Sequence, residues 1–269
     1  MEILELCKRI GMPEPAVEQI MRLDIPEEVY LYMNRLRKTD YDGFCREVRN
    51  SKDFRVRFLY YFCRFACETY EDYINEQISE SIFFDTFRDL KHWCENCRQE
   101  FGEYGIDEAE WFWRLFDRTL FKLGRLQFET MNVKRDIGCN AFAIKKGEPV
   151  INVHIPQGEP LDWAACEASF AAAYEWFGRE IPYVCHSWLL FPGLKEILPE
   201  ESNIIQFQNH FRLLEMDYLQ TEALWRIFSK VREDMSQYPE QTSLQRGAKA
   251  YLYSGKRLGR GLGRYLPER

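Results

Sequence analysis

Two of the four histidines lie in segments whose alternation of apolar and polar residues predicts β-strands. His154 belongs to Val150–Ile155 and His186 to Tyr183–Leu190. Because imidazole titrates near neutral pH, either histidine could act as a general base or bind substrate, and a structural role for each is the alternative. Ser187 points to the face of its strand opposite His186, so the two cannot form a nucleophile and base dyad.

A short polar loop, Pro156–Leu161, separates the first of these strands from an alanine-rich helix. Asp162 is placed to cap that helix and Gly178 to end it. The first turn of such a helix presents unpaired N–H groups and the positive end of the helix dipole to the loop at Gln157 and Gly158. A pyrophosphate could bind there. The alternative is an ordinary connection between a strand and a helix.

The first part of the chain, residues 1–122, shows helical patterns throughout and no alternating strand. Its last helix is predicted to begin with Asp107 as N-cap and Glu110 as the reciprocal partner, and to run to about Lys122. After Gly124 the pattern changes to alternating segments. The sequence therefore predicts an all-helical domain over residues 1–122 and a second domain over residues 123–269.

The second part is predicted to form strands separated by helices. The predicted strands begin at Leu126, Ala141, Val150, Tyr183 and Leu213, and the predicted helices span Asp162–Phe177 and Ser202–Phe211. The segment Lys145–Pro149 reads as a hairpin turn. This order predicts an α+β protein in which a mixed sheet with flanking helices follows the helical domain.

Composition limits the class of protein. With 46% hydrophobic and 29% charged residues, and with no apolar run of about 20 residues, we expect a soluble chain that does not cross a membrane. The N-terminus carries acids where a signal peptide would carry lysines, so we expect a cytoplasmic protein with mostly reduced cysteines. The net charge of -7, with basic residues concentrated after residue 245, argues against broad nucleic-acid binding.

Four segments carry a family resemblance: Leu123–Phe128, Val153–Leu161, Cys185–Leu190 and Leu198–Phe207. Together with the order of elements, they resemble the GNAT superfamily of acyltransferases, whose mixed sheet binds coenzyme A between two splayed central strands. The greatest similarity is to a bacterial group with a helical N-terminal domain and a GNAT-like C-terminal domain. The resemblance implies transfer of an acyl group from acetyl-CoA or another acyl-CoA to an amine of a small molecule or peptide.

The resemblance also implies site residues. Val153 and Ile155 match the strand that pairs with the pantetheine arm, and Gln157 and Gly158 match the pyrophosphate loop, although only one of the family's glycines is present. Asn203 matches an asparagine that opens a later helix. A tyrosine that can protonate the departing thiolate often follows in the family, but this sequence has Phe207 near that position.

Two further groups of residues have alternative interpretations. The segment Lys256–Gly263 contains three glycines and three basic residues, so it could clamp a phosphate or form a flexible cationic end. Cys63, Cys67, Cys94 and Cys97 could form a zinc site. Because they lie in helical patterns and not in turns, the prediction is buried thiols and no metal.

Two functions remain open from the sequence. One is an acyl-CoA-dependent N-acyltransferase in which His154 or His186 handles protons. The other is a non-catalytic protein that binds a ligand or partner on the same scaffold, which the single glycine of the loop and Phe207 favour.

Overall fold

The computed structural model describes residues 1–267, which separate into two compact units. Residues 1–123 form the first unit together with Pro156–Gly158. Residues 124–155 and those from 159 onward form the second. The first unit is helical and the second is built on a mixed sheet with helices beside it, which confirms the predicted α+β class.

The helical unit contains short helices around one long one. Its elements are α1 (Ile3–Ile10), α2 (Glu14–Met21), α3 (Glu27–Thr39), α4 (Tyr41–Arg49), α5 (Phe54–Asn75), α6 (Glu80–Phe87), α7 (Asp89–Phe101), α8 (Trp113–Phe116) and the strand β1 (Leu120–Leu123). Glycine ends two of these helices: Gly11 after α1 has φ 73° and Gly102 after α7 has φ 78°. Both adopt the left-handed conformation that glycine tolerates best, so these ends follow from local sequence.

Aromatic side chains fill the core of this unit. Phe62 on α5 lies 4.9 Å from Phe112 and 5.3 Å from Phe116, measured between ring centroids. Phe44 on α4 contacts Phe65 at 5.5 Å. Large rings of this kind bury about 150–250 Å² each, so they account for much of the apolar stabilisation of the unit.

The helix predicted from Asp107 to about Lys122 is wrong. The structure has turns up to Phe112, the single-turn helix α8 and then β1. The reason is that the two capping residues have other partners: Asp107 Oδ1 accepts from Arg55 Nε at 2.6 Å, and Glu110 Oε1 accepts from Arg49 Nη2 at 2.7 Å. Charge-assisted bonds to arginine replace the capping box.

The second unit alternates strands and helices. Its elements are β2 (Leu126–Asn132), β3 (Pro149–His154), α9 (Trp163–Phe177), β4 (Tyr183–Ser187), α10 (Asn203–Asn209), β5 (Phe211–Asp217), α11 (Thr221–Phe228), α12 (Ser243–Tyr253) and β6 (Arg260–Tyr265). The six-stranded sheet has the order β1-β2-β3-β4-β6-β5. Only β3 and β4 pair in parallel among the ladders described in this unit.

Helix α9 packs on one face of this sheet. Asp162 Oδ1 accepts from Ala165 N at 3.1 Å as the predicted N-cap, and Gly178 follows the last residue of the helix. The ring of Phe170 lies 3.7 Å from that of Tyr265 on β6 and 5.6 Å from that of Phe128 on β2. The aromatic side chain of Phe170 therefore packs the helix against two different strands of the sheet.

The C-terminal glycine cluster is not a flexible end. Its second half, from Arg260 to Gly263, belongs to β6, which pairs with β4 on one side and β5 on the other. Gly259 and Gly261 are required by close packing: an added Cβ would lie 2.0 Å from Asp217 O and 2.3 Å from Leu190 O, respectively. The prediction of a flexible cationic end is therefore wrong, whereas a phosphate clamp stays a prediction.

Two further predictions in this unit need correction. The strand predicted from Ala141 is a 3-10 turn, Asn140–Phe142, followed by one isolated bridge between Ile137 and Ile144. The strand predicted over Tyr183–Leu190 ends at Ser187, because a 3-10 turn begins there with Ser187 Oγ accepting from Leu189 N at 3.2 Å. Within residues 1–267, none of the helices combines the length and apolar character needed to cross a bilayer.

Candidate active site

The parallel ladder between β3 and β4 is short. It contains two pairs, Ile151 with Tyr183 and Asn152 with Val184. Both strands continue beyond it, but β3 stays paired with β2 as far as His154, whereas β4 stays paired with β6 as far as Ser187. The two central strands therefore part after Asn152, and Val153 is the first residue of β3 beyond the parallel ladder.

Polar side chains gather on one face of the sheet beside this opening. Glu129 is opposite Asn152 in the ladder, and Asn152 is opposite Val184. Because side chains alternate along a strand, His154 and His186, each two residues further on, project from the same face as these residues. The other face packs against α9. The structure thus brings both predicted histidines to one side of the sheet.

His154 forms a close pair with a carboxylate. Its Nε2 lies 2.8 Å from Glu129 Oε2, and the side chain of Glu129 is 4% exposed against 31% for His154. Asn152 Nδ2 lies 3.0 Å from the same histidine nitrogen and donates to Glu129 Oε2 at 3.3 Å. A buried carboxylate thus orients a half-buried imidazole, which is the arrangement of a general base and its orienting group.

His186 lies in a second, more open group. Its Nε2 is 3.7 Å from Asp217 Oδ2, and Asp217 also accepts from Arg260 Nη2 at 2.8 Å. Burial lowers the pKa of His186 and the charge of Arg260 lowers it further, while Asp217 opposes them. The hydrogen bond from Arg260 lowers the pKa of Asp217. His186 is therefore largely neutral at pH 7 and able to accept a proton.

The predicted pyrophosphate loop is held by helix α7. Gln157 exchanges hydrogen bonds with the side chain of Asn96 at 3.0 and 2.9 Å. Gly158 has φ +104°, and an added Cβ would lie 2.8 Å from His92 Cε1. The glycine is thus required by backbone conformation and by the packing of His92. Ile155 directly follows β3.

The other predicted site residues have simpler surroundings. Asn203 is the exposed first residue of α10. Phe207, near the position of the family's tyrosine, is 1% exposed, and its ring packs 4.8 Å from that of Phe211. Cys185 is completely buried, and burial raises the pKa of its thiol. Among the residues with described positions, no group of three or more His, Cys, Asp or Glu could hold a metal ion.

Sequence reasoning missed Glu129. The residue was visible only as one of several polar positions alternating with Leu126 and Phe128. Its significance depends on the register of β2 against β3, which pairs Glu129 with Asn152 and Gln127 with His154. The period of two in both strands indicates which residues share a face of each strand. It does not indicate which residue of β2 lies opposite which residue of β3.

Comparisons with known proteins bear on the whole chain. The chain is similar to a solved acyltransferase in complex with decanoyl-CoA and teicoplanin, with 22% identity, a TM-score of 0.81 and coverage of 99% of this chain and 88% of that one. The same values apply to an acyltransferase in complex with CoA and 10C-teicoplanin. An acyltransferase variant in complex with octanoyl-CoA matches with 22% identity, a TM-score of 0.81 and coverage of 98% and 87%. At these identities the likeness shows the fold. No curated protein matches the sequence.

Family models cover both parts of the chain. Residues 1–117 match the N-acyltransferase N-terminal domain, and residues 120–265 match the GNAT-like C-terminal domain. The second match alone spans more than half of the sequence. The chain therefore belongs to the family of GNAT-like N-acyltransferases that the sequence resemblance predicted.

Proposed function

We propose that the protein transfers an acyl group from a coenzyme A thioester to an amine of a small molecule or peptide. The observation that carries the proposal is the opening between β3 and β4 with the His154–Glu129 pair beside it. The acyltransferases of similar fold, solved with CoA, octanoyl-CoA or decanoyl-CoA, support an acyl-CoA as co-substrate. Two solved acyltransferases of similar fold also contain teicoplanin or 10C-teicoplanin, which supports an acceptor of small-molecule or peptide class.

Backbone groups at the end of β3 could form hydrogen bonds with the co-substrate. Beyond the last parallel pair, the backbone of Val153 and Ile155 is available for the amides of a pantetheine arm, as a strand edge binds an extended peptide. We assign Asn203 to the same ligand. Gln157 and Gly158 stay predictions, since their observed contacts are with Asn96 and His92.

We assign His154 as the general base. Its Nε2 lies within hydrogen-bond distance of both the Glu129 carboxylate and the Asn152 amide. We assign the neutral imidazole its proton on Nε2, toward Glu129, which leaves the lone pair on Nδ1. Among the residues that the structure describes, Nδ1 has no hydrogen-bond partner.

The reaction then follows from this protonation state. An acceptor ammonium loses a proton to His154 Nδ1, and the amine nitrogen attacks the thioester carbonyl. The C–N bond forms, the C–S bond breaks, and coenzyme A leaves as a thiolate that takes the second proton, which the attacking nitrogen loses as it becomes the amide. Glu129 stabilises the imidazolium that forms on His154. Phe207 cannot supply the proton to the thiolate, because it has no hydroxyl group. His186 is the alternative base, given its lowered pKa.

A ligand titration tests the proposal first. The unfolding temperature would be measured with coenzyme A, acetyl-CoA, octanoyl-CoA and decanoyl-CoA. A ligand at a hundred times its dissociation constant adds about 2.7 kcal/mol, or roughly 5–10 °C for a chain of this size. The acyl-CoA with the largest shift would then be offered to a panel of amines, with release of free thiol as the readout.

His154→Gln is the matched control. It should keep the thermal shift and lose thiol release, because the imidazole moves a proton and does not hold the nucleotide. Absence of a shift with every ligand would refute the acyltransferase assignment and favour the non-catalytic alternative. Substitution of Gly158 is a poor control, since any side chain there would displace His92 whether or not coenzyme A binds.

A further inference from the structure

The helical unit contains a cavity of about 380 Å³. It lies within that unit, and its polar lining includes Arg37, Lys38, Glu68, Asp72, Asp117 and Arg118. This volume is at the lower end of the range of about 300–1,000 Å³ that is usual for ligand pockets. None of these residues has a role in the proposed acyl transfer.

Arg37 on α3 is rigidly placed at this cavity. Only 8% of the residue is exposed, and its guanidinium carbon lies 4.5 Å from the ring centroid of Phe65 and 5.3 Å from that of Phe116. Its Nε donates to Asn34 Oδ1 at 3.1 Å. Stacking and one hydrogen bond therefore fix the plane of the guanidinium before any ligand arrives.

The outer edge of this guanidinium has no protein partner. Neither Nη1 nor Nη2 of Arg37 has a hydrogen bond or ion pair among the described residues, although Arg37 is buried by nine-tenths. Burial also lowers the pKa of Arg37, while the charges of Glu68 and Asp117 oppose that shift. Two parallel N–H groups of this kind match the two oxygens of a carboxylate.

The acidic groups of the cavity show what else the ligand must carry. Asp72 is paired with Arg118 at 3.2 Å. Glu68 accepts from Asn34 at 2.8 Å and from Tyr30. These two carboxylates therefore have donors within the protein.

Asp117 differs from those two acids. It is exposed, and its charge acts on Arg37, but within the described part of the chain its carboxylate has no hydrogen bond and no ion pair within 4 Å. The six charged residues of the lining carry three positive and three negative charges, so the cavity has no net charge. A simple anion would disturb that balance, whereas a molecule with both an anionic and a cationic group would preserve it.

We propose that this cavity binds a small zwitterion with a carboxylate and an ammonium group, such as an amino acid. The carboxylate accepts two hydrogen bonds from the Nη1 and Nη2 groups of Arg37. The ammonium faces the carboxylate of Asp117. The site lies in the helical unit and is separate from the residues assigned to acyl transfer.

Isothermal titration of the full chain tests the site directly. Glycine and L-alanine serve as zwitterionic probes. Acetate carries only the carboxylate, methylamine carries only the ammonium group, and inorganic phosphate is a purely anionic probe. We expect saturable binding of the amino acids and at least about tenfold weaker binding of the others. Arg37→Lys keeps the charge and removes the fork, so it should weaken amino-acid binding by about tenfold or more.

Two further variants keep the test decisive if Arg37→Lys does not fold. Asp117→Asn changes an exposed group, and it should weaken amino-acid binding without weakening acetate binding, because acetate has no ammonium group and gains from the loss of a negative charge near Arg37. Arg46→Lys, at an exposed arginine paired with Asp40, is the control and should bind as the unmodified protein does. The proposal is overturned if neither amino acid binds at about 20 mM, if phosphate binds most tightly, or if Asp117→Asn binds amino acids unchanged.

Discussion

Replacing Gly261 by alanine tests the packing of β6, which lies between β4 and β5 in the sheet. An added Cβ would lie 2.3 Å from Leu190 O and 2.7 Å from the Leu190 carbonyl carbon. Neither side can move easily, because β6 is paired on both edges and the neighbouring carbonyls of Leu189 and Phe191 accept from Gln208 Nε2 at 2.7 and 3.0 Å. The substitution therefore forces backbone against backbone.

The expected loss lies at the upper end of the range for overpacking, about 3 kcal/mol in the free energy of unfolding. For a chain of this size that corresponds to a fall of roughly 6–12 °C in the unfolding temperature. Thermal unfolding followed by circular dichroism at pH 7 measures it. In contrast, a flexible cationic end would tolerate alanine at this position with almost no change.

Gly263→Ala in the same strand is the matched control. Its Cβ would lie 3.0 Å from Leu190 Cδ1, the end of a side chain that can rotate, and 3.1 Å from Phe211 Cβ, so the required shift is a few tenths of an ångström and no backbone atom lies closer than 3.5 Å. We expect a loss of about 1 kcal/mol. Equal losses for Gly261→Ala and Gly263→Ala would refute the argument that the carbonyl of Leu190 makes glycine necessary.

Three further predictions concern single residues. Glu129→Gln should lower the rate of thiol release by roughly 10²-fold with acyl-CoA affinity unchanged, because His154 loses the carboxylate that fixes its Nε2 proton; nitrogen NMR should detect loss of the Nε2–H form, and an unchanged tautomer and rate would contradict the assignment. His186→Gln should lose less stability than the unmodified chain between pH 7 and pH 5 in urea unfolding. Burial lowers the folded-state pKa of His186, so the unfolded chain binds the proton first as the pH falls below about 6.5; parallel losses in the two proteins would show that another group titrates. Asp162→Ala should lower the free energy of unfolding by about 1 kcal/mol through loss of the cap on Ala165 N, whereas Asp162→Asn should retain most of it; an equal loss for both would mean that charge and not capping matters.

Local signals were sufficient where an element carries its own boundaries. The cap at Asp162 and the glycine at Gly178 fixed helix α9, and alternation fixed most of β3. These features depend on residues within a few positions of one another, so they are readable from the chain alone. The family resemblance added the expectation of splayed central strands.

Local signals failed where distant residues compete for the same group. Asp107 and Glu110 have the residue types and spacing of a capping box, but Arg55 and Arg49 bind their carboxylates from other helices. Likewise, Gly261 lies in the internal strand β6 and Gly259 directly precedes it, because the carbonyls that they pass belong to Leu190 and Asp217, far away in sequence. Such contacts cannot be deduced from spacing.

The candidate site divides in the same way. The sequence by itself determined that His154 and His186 stand on strands, since side-chain alternation is a property of each segment. Only the tertiary structure decided that the parallel ladder ends at Asn152 and that Glu129 meets His154 at 2.8 Å. Register between strands is set by packing across the whole sheet, so the partner of a candidate site residue is a property of the fold and not of the segment that contains it.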